Sequence, residues 1–175
     1  MIFLTLISCV PFIDKYVSNL ISKIKCTITL SKFFSKYICN INAIIGICHI
    51  LIFRDIKTLF ARFLIEYLLI NNLLKRIIDR PRPIHSNGKY IPIYELKIEN
   101  NTNDSFPSGH VTSSYFLYIM FRESGHINIS KLLLIFTIIT AYCRINIKMH
   151  HLSDCTFAVL ICKFGMLIFE YLKIN

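Results

Sequence analysis

Mostly apolar windows alternate with charged or polar clusters along the chain. The clearest windows are residues 38–53, 59–74, 111–121, 132–147 and 155–172. A helix needs about 20 largely apolar residues to span a membrane, so several windows reach that length only with their polar flanks. The N-terminal segment MIFLTLISCVPFI has no basic residue ahead of its apolar core, which argues against a cleaved secretory signal. We interpret it as a weak membrane segment or an interfacial helix, and the whole pattern predicts an all-α, multi-pass transmembrane bundle of five or six helices.

The composition favours a lipid environment for residues 1–175, which we predict to form a single domain. Hydrophobic residues make up 54% of the chain and the mean hydropathy is +0.55, which is too apolar for an ordinary soluble domain of this size. The net charge of +10 would favour nucleic acid binding in a soluble protein. In a membrane protein, Lys and Arg at helix ends extend toward anionic head groups instead, so we expect membrane lipids as partners and no nucleic acid.

The cysteines are expected to act as small hydrophobic side chains. There are seven of them, they lie mostly inside the apolar segments, and none forms a C-x-x-C pair. We therefore predict neither disulfides nor a metal site, and no cofactor.

Proline residues end the predicted third helix, which covers about residues 59–79. Pro81 and Pro83 lack a backbone N–H and disfavour helix in the residues before them. The polar connection at 84–106 is far longer than most links between helices, which indicates a lid or a substrate-contacting loop. Ser108 is a good N-cap candidate for the next helix. If each apolar run spans once, the end of helix three, the start of four, the end of five and the start of six meet at one membrane face.

Polar clusters fall on that face at 75–83 (KRIIDRPRP), 105–110 (SFPSGH) and 143–154 (CRINIKMHHLSD). Lys75 and Arg82 bracket the helix end that proline bends, and Arg144 adds a planar guanidinium that can hold two oxygens at once. Ser108 and Gly109 open a helix whose first backbone N–H groups and positive dipole end favour a bound anion. Cations, a hydroxyl and unpaired amides in one place predict a phosphate-binding pocket.

Acid–base groups accompany this pocket. His110 lies just beyond the helix start, where an imidazole can protonate a leaving oxygen. His150 and Asp154 are four residues apart, so on a helix the carboxylate can accept a hydrogen bond from one ring nitrogen and leave the other free to attack. His151 is three residues from Asp154, so helical spacing alone leaves both histidines as candidates.

Taken together, the clusters resemble the three-part signature of the phosphatidic acid phosphatase type 2 and vanadium haloperoxidase superfamily. The matching elements are Lys75-x6-Arg82-Pro83, Pro107-Ser108-Gly109-His110 and Arg144-x5-His150-x3-Asp154, in this order within residues 75–154.

The resemblance implies metal-independent phosphoester hydrolysis in two steps, with His150 as the nucleophile, Asp154 as its orienting group and His110 as the general acid. The phosphate-binding residues are then Lys75, Arg82, Ser108, Gly109 and Arg144. Two positions depart from the family pattern. Cys143 replaces the serine that usually precedes the arginine of the third element, which weakens the expected support of Arg144. Ala158 replaces a glycine that is frequent four residues beyond the aspartate.

The resemblance implies an enzyme whose substrate is a lipid phosphate or a polyprenyl diphosphate. A lipid phosphotransferase that uses the same phosphohistidine is the alternative. A non-catalytic membrane scaffold is a third reading, although it leaves His110, His150 and Asp154 without a reason. A vanadate-dependent peroxidase is disfavoured because such enzymes are usually soluble and larger. Family analogy places the catalytic face of this integral membrane protein outside the cytosol or in a lumen.

Overall fold

Helices are the regular secondary structure of the part of the chain that the computed structural model describes, which comprises residues 2–53, 60, 64–65, 73–78, 80–84 and 105–171. Most of the predicted third helix and most of the polar connection at 84–106 lie outside these residues. The helices are α1 (Ile2–Ser22), a 3-10 turn (Lys25–Thr27), α2 (Ile28–Phe53), α3 (Lys75–Ile78), α4 (Gly109–Glu123), α5 (Ile127–Asn146) and α6 (Leu152–Tyr171). The predicted all-α bundle is therefore confirmed.

α4 lies at the centre of the bundle and packs against α2, α5 and α6. Its fully buried side chains include Phe116, Leu117 and Met120. Ala158 of α6 is also fully buried, in a cluster with Val111 at the start of α4. A methyl group is thus tolerated at the position where the family often has glycine, and the helices still pack closely.

α2 begins about ten residues before its apolar window because polar residues form its inner face. Its buried positions include Ser31, Ser35, Asn42 and His49, at helical spacing. Asn42 Nδ2 donates to Ser114 Oγ of α4 at 2.9 Å, and His49 Nε2 lies 2.8 Å from Ser124 Oγ. The opposite face exposes large apolar side chains, which are Leu30, Phe33, Tyr37, Ile41, Ile44, Ile47 and Leu51. A helix that buries its polar side chains and exposes its apolar ones is typical of a lipid environment.

Two of the described helices are long and apolar enough to cross a membrane, namely Lys25–Phe53, which joins the 3-10 turn to α2, and Ile127–Asn146. α4 has 15 residues and therefore measures only about 22 Å, less than the hydrocarbon thickness of about 30 Å. The N-terminal segment is longer than its apolar core, since α1 has 21 residues and packs against α5 and α6. It is a part of the bundle.

Candidate active site

The helix ends that carry the three polar clusters meet at one end of the bundle. Backbone hydrogen bonds join them, because Ser105 N donates to Arg80 O at 3.0 Å and Ile84 N donates to Lys148 O at 2.9 Å. These bonds connect the segment after α3 to the residues that precede α4 and to the loop between α5 and α6. The convergence predicted from the order of apolar segments is present.

The start of α4 presents backbone amides to this region. Ser108 is the N-cap, with an extended backbone at φ −75° and ψ 106°, and its N–H donates to Asp154 O at 3.2 Å. Its Oγ is buried and makes no capping bond within the described part of the chain, and the Cys155 thiol is a polar neighbour. Gly109 is the first helical residue, whose N–H has no partner within a helix.

His150 is buried, and its contacts define which ring nitrogen carries the proton. Its Nδ1 lies 2.6 Å from the backbone carbonyl oxygen of Ser105. A carbonyl can only accept, so Nδ1–H donates, and in the neutral ring Nε2 keeps its lone pair. Nε2 lies 3.5 Å from an Nη of Arg144. The ring therefore turns its unprotonated nitrogen toward a cation that can bind oxygens.

Asp154 contacts His150 differently from the expectation. Its Oδ2 lies 3.8 Å from His150 Nδ1, which is an ion-pair distance and not a hydrogen bond. The same oxygen accepts from Ser105 Oγ at 2.6 Å and from the His151 backbone N–H at 2.8 Å. The difference arises because α6 begins at Leu152, so both histidines precede the helix and the four-residue helical spacing does not apply to them. The Asp154 carboxylate thus binds the Ser105 hydroxyl and the His151 backbone N–H, and it acts on the His150 ring through its charge.

The two histidines occupy different surroundings. Burial lowers the pKa of His151 to about 4, with the positive charge of Arg80 as the next cause. Burial also lowers the pKa of His150, while the Asp154 carboxylate and the Ser105 carbonyl act in the opposite direction. His150 faces the Ser105 carbonyl and Arg144, whereas helical spacing had left both histidines as candidates.

Arg144 at the end of α5 is held from α2. Its side chain is buried and donates through Nη1 to Ser35 Oγ. The Cys143 thiol interacts with Ser31, one helical turn earlier on α2. The support that the family places on the residue before the arginine is thus supplied here by a serine of another helix.

His110 lies in the first turn of α4, outside the two candidate spans, within an electropositive region. Its pKa is lowered to about 3, first by burial and then by the positive charges around it. Those charges belong to Arg144, His150, Lys75 and Arg82. All three predicted cations therefore act on one point, and together with burial they favour the neutral form of His110 at neutral pH.

Burial raises the pKa of Asp154, but its contact with His150 and the charge of Arg80 outweigh this and lower it to about 2. Arg80 itself is fully buried and donates to Asp154 Oδ1 at 2.5 Å and to Ser153 Oγ at 2.7 Å. The sequence alone does not single out Arg80 or Ser105, although both lie inside the polar clusters. Neither residue is a position of the three-part signature, so the signature does not distinguish them from their neighbours.

A cavity of about 360 Å³ opens beside the two histidines and faces α1. Its lining includes Lys23, Lys25 and Lys148 and, among the described residues, no acidic side chain. Within the same described ranges, no three His, Cys, Asp or Glu side chains are grouped so that they could hold a metal ion. Lysine side chains thus give the described lining of this cavity a positive charge.

Comparison with known proteins agrees with this arrangement. The model of the PAP2 superfamily matches residues 56–173, about two thirds of the chain. Among solved structures, the chain is similar to the first transmembrane PAP2-type phosphatidylglycerolphosphate phosphatase from Bacillus subtilis. The TM-score is 0.58 at 17% identity, over 95% of this chain and 89% of that one. No curated protein matches the sequence. The helical bundle, the clustered site and the family match lead to one conclusion, that this chain belongs to the PAP2 superfamily.

Proposed function

We propose that this protein is a metal-independent phosphatase that hydrolyses a lipid phosphate or a polyprenyl diphosphate. The observation that carries the proposal is the His150 ring, whose Nδ1–H donates to Ser105 O at 2.6 Å while Nε2 lies 3.5 Å from Arg144. An imidazole that is fixed in this tautomer can attack a phosphorus atom whose oxygens are bound by the guanidinium.

The proposed reaction has two steps. In the first, His150 Nε2 forms a bond to phosphorus while the bond from phosphorus to the lipid oxygen breaks, and His110 donates a proton to that oxygen. In the second, water attacks the phosphohistidine, His110 takes its proton, and the P–N bond breaks to release phosphate. Asp154 stabilises the cationic ring that exists between the two steps.

The phosphoryl oxygens are proposed to bind to residues that surround His110 and the start of α4. These residues are Lys75, Arg82, Ser108, Gly109 and Arg144. The positive charges and the Gly109 backbone amide complement the negative charge of the transferring group, and they need no reorientation at the moment of reaction.

The test is phosphate release by detergent-purified protein in EDTA. The substrate panel holds phosphatidate, lysophosphatidate, sphingosine phosphate, farnesyl diphosphate and phosphatidylglycerophosphate, the last because a structurally similar protein is named for it. We expect His150→Ala to lose activity by about 10³-fold or more and His151→Ala to stay active. A fully active His150→Ala, or no release from any substrate by the wild type, would contradict the proposal.

The covalent intermediate has its own test. Denaturing quench after brief exposure to a substrate labelled on the scissile phosphate should leave an acid-labile, base-stable label on the wild type and none on His150→Ala. Added alcohols then separate hydrolysis from transfer. If labelled alcohol phosphate forms faster than free phosphate in water-rich buffer, the protein is a phosphotransferase that uses the same intermediate.

A further inference from the structure

α1 supplies hydrogen-bond partners to the start of α6, the helix that follows the two histidines. The Leu152 N–H donates to Ser18 Oγ at 2.9 Å, and the Ser153 N–H donates to Asp14 Oδ1 at 2.8 Å. The first N–H groups of a helix lack partners within it and are usually capped by a residue next to them in sequence. Here the capping side chains come from another helix, and Asp14 lies outside residues 56–173, the part that the family model matches.

Asp14 also forms an ion pair in the bundle interior. It is 2% exposed, and its Oδ2 accepts from Arg80 at 3.2 Å and from Ser153 Oγ at 2.5 Å. The same Arg80 guanidinium donates to Asp154 Oδ1. One buried cation therefore stands between two buried carboxylates, one on α1 and one in the proposed catalytic group.

This arrangement has a consequence for the charge near His150. With Asp14 present, the positive charge of Arg80 is shared between two carboxylates. Without Asp14, less negative charge would offset Arg80, and the net negative charge that faces the His150 ring would fall.

From these contacts we infer that Asp14 is a positioning residue for the proposed nucleophile, acting on His150 through Arg80, Ser153 and Asp154. The inference rests on the proposed function of His150. Asp14 lies too far along this chain of contacts to touch the substrate, and its effect should fall on the chemical step and not on substrate binding.

Among the described residues, charged or titratable groups face His150 from Asp154 of α6, Arg144 of α5, His110 of α4 and the adjacent His151. The cavity beside it is also lined by Lys23, Lys25 and Lys148. Asp14→Asn leaves all of these groups in place and adds one net positive charge behind Asp154. We expect the acid limb of the pH–rate profile to move to lower pH, because the protonated His150 ring is less stabilised. A less basic nucleophile should also lower kcat about tenfold with KM nearly unchanged.

Ser18→Ala is the matched control. It removes a capping contact from the same end of α6, together with the hydrogen bond of 3.3 Å that Ser18 Oγ donates to Asp14 Oδ1, but it leaves the charged Asp14–Arg80 pair in place. We expect a lower melting temperature, kcat within about twofold of wild type and an unmoved acid limb. Asp14→Glu is the second variant, because it keeps the charge and shifts the carboxylate by one methylene. It should lower kcat without moving the acid limb.

The outcomes separate this inference from the proposed function. If the wild type is active and His150→Ala is inactive, but Asp14→Asn keeps the wild-type kcat and pH profile, then Asp14 has no positioning role. The same holds if Asp14→Asn and Ser18→Ala change kcat equally and neither moves the acid limb, since capping alone would explain both. If Asp14→Asn does not fold, a wild-type kcat in Asp14→Glu overturns the inference.

Discussion

His110 connects the positive charge of the site with its proposed chemistry. Burial and then the positive groups around it lower the pKa of His110 to about 3. A bound dianion would offset those positive charges and raise the pKa of His110. On ligand binding, His110 would then take up the proton that it later donates to the leaving oxygen. Binding of an anion in the electropositive pocket would thus also favour the protonated form of the proposed general acid, His110.

We expect oxyanion binding at neutral pH to be accompanied by proton uptake. Tungstate is a suitable probe because it is a tetrahedral dianion that does not titrate near pH 7. Calorimetry in buffers of different ionisation enthalpy measures the protons taken up. His110→Gln should still bind tungstate but with less uptake, and equal uptake by both proteins would show that another group takes the proton.

Lys148 has a left-handed backbone at φ 58°, in the loop that leads to His150. Its N–H donates to Ile145 O and its carbonyl accepts from Ile84, so both backbone groups keep it there. Residues other than glycine are destabilised in that conformation. Lys148→Gly and Lys148→Ala remove the same charge, so their difference reports the backbone alone. We expect the glycine variant to be more stable by about 1 kcal/mol, measured by thermal unfolding, and equal stability would contradict the assigned conformation.

Among the helices, the contact between α2 and α5 reaches the site through Arg144. Arg144 Nη1 donates to Ser35 Oγ, and α2 lies wholly before the part of the chain that the family model matches. Ser35→Ala removes the acceptor and leaves the guanidinium less well oriented. Because a hydrogen bond to a charged group is worth about 1.5–3 kcal/mol, we expect kcat/KM to fall by about tenfold or more.

Thr137→Val is the control for Ser35→Ala. Thr137 is also buried and lies on α5, but its Oγ1 donates to Leu133 O of the same helix. The variant should keep its kcat/KM. An effect on kcat/KM as large as that of Ser35→Ala would indicate that any polar loss in this part of the bundle is damaging.

Which elements could be predicted from sequence depends on how locally they are specified. The helices after residue 105 were predictable because each is an apolar run between strong stop signals, and Ser108 was predictable as an N-cap from the residues that follow it. The convergence of the three clusters followed from the order of the runs. These features depend on neighbours in sequence.

Contacts between distant residues were not predictable in this way. The His150–Asp154 geometry differs because the start of α6 is capped from α1, so the two residues do not share one helix. Asp14 lies 139 residues before Ser153, and no spacing rule joins them. A usable signal did exist, since Asp14 is the one acidic residue of the α1 sequence and a charge within an apolar helix usually marks a buried contact.

At the scale of the whole molecule, buried or partly buried histidines among the described residues contribute to the dependence of stability on pH. His110, His150 and His151 all have a pKa below the ordinary value of 6.5, and all lie outside the two candidate spans. The unfolded chain therefore takes up protons, as pH falls below 6.5, that the folded protein does not. The protein should keep its full free energy of unfolding above that pH and should lose part of it toward pH 4.

Melting temperatures in detergent between pH 8 and pH 4 test this expectation. His151→Gln should flatten the acid decline, because one proton fewer distinguishes the folded and unfolded states. Asp154 contributes at lower pH, since its pKa of about 2 lies below the ordinary value of 3.8 and its stabilisation is lost as pH falls through that range. A melting temperature that rises on acidification would contradict the neutral state of these histidines.

The reversed faces of α2 separate what holds this protein together from what surrounds it. Its inner contacts include hydrogen bonds, as between Asn42 and Ser114, while side chains such as Phe33 and Leu51 point away from the bundle. In lipid, apolar surface gains little by leaving the bilayer, so polar contacts such as these and close packing hold the helices together. The outward side chains are then an apolar surface that suits a lipid environment. A variant with polar residues on that surface could keep the same interior and exist in water, where methods that bilayers and micelles prevent could be applied to the protein.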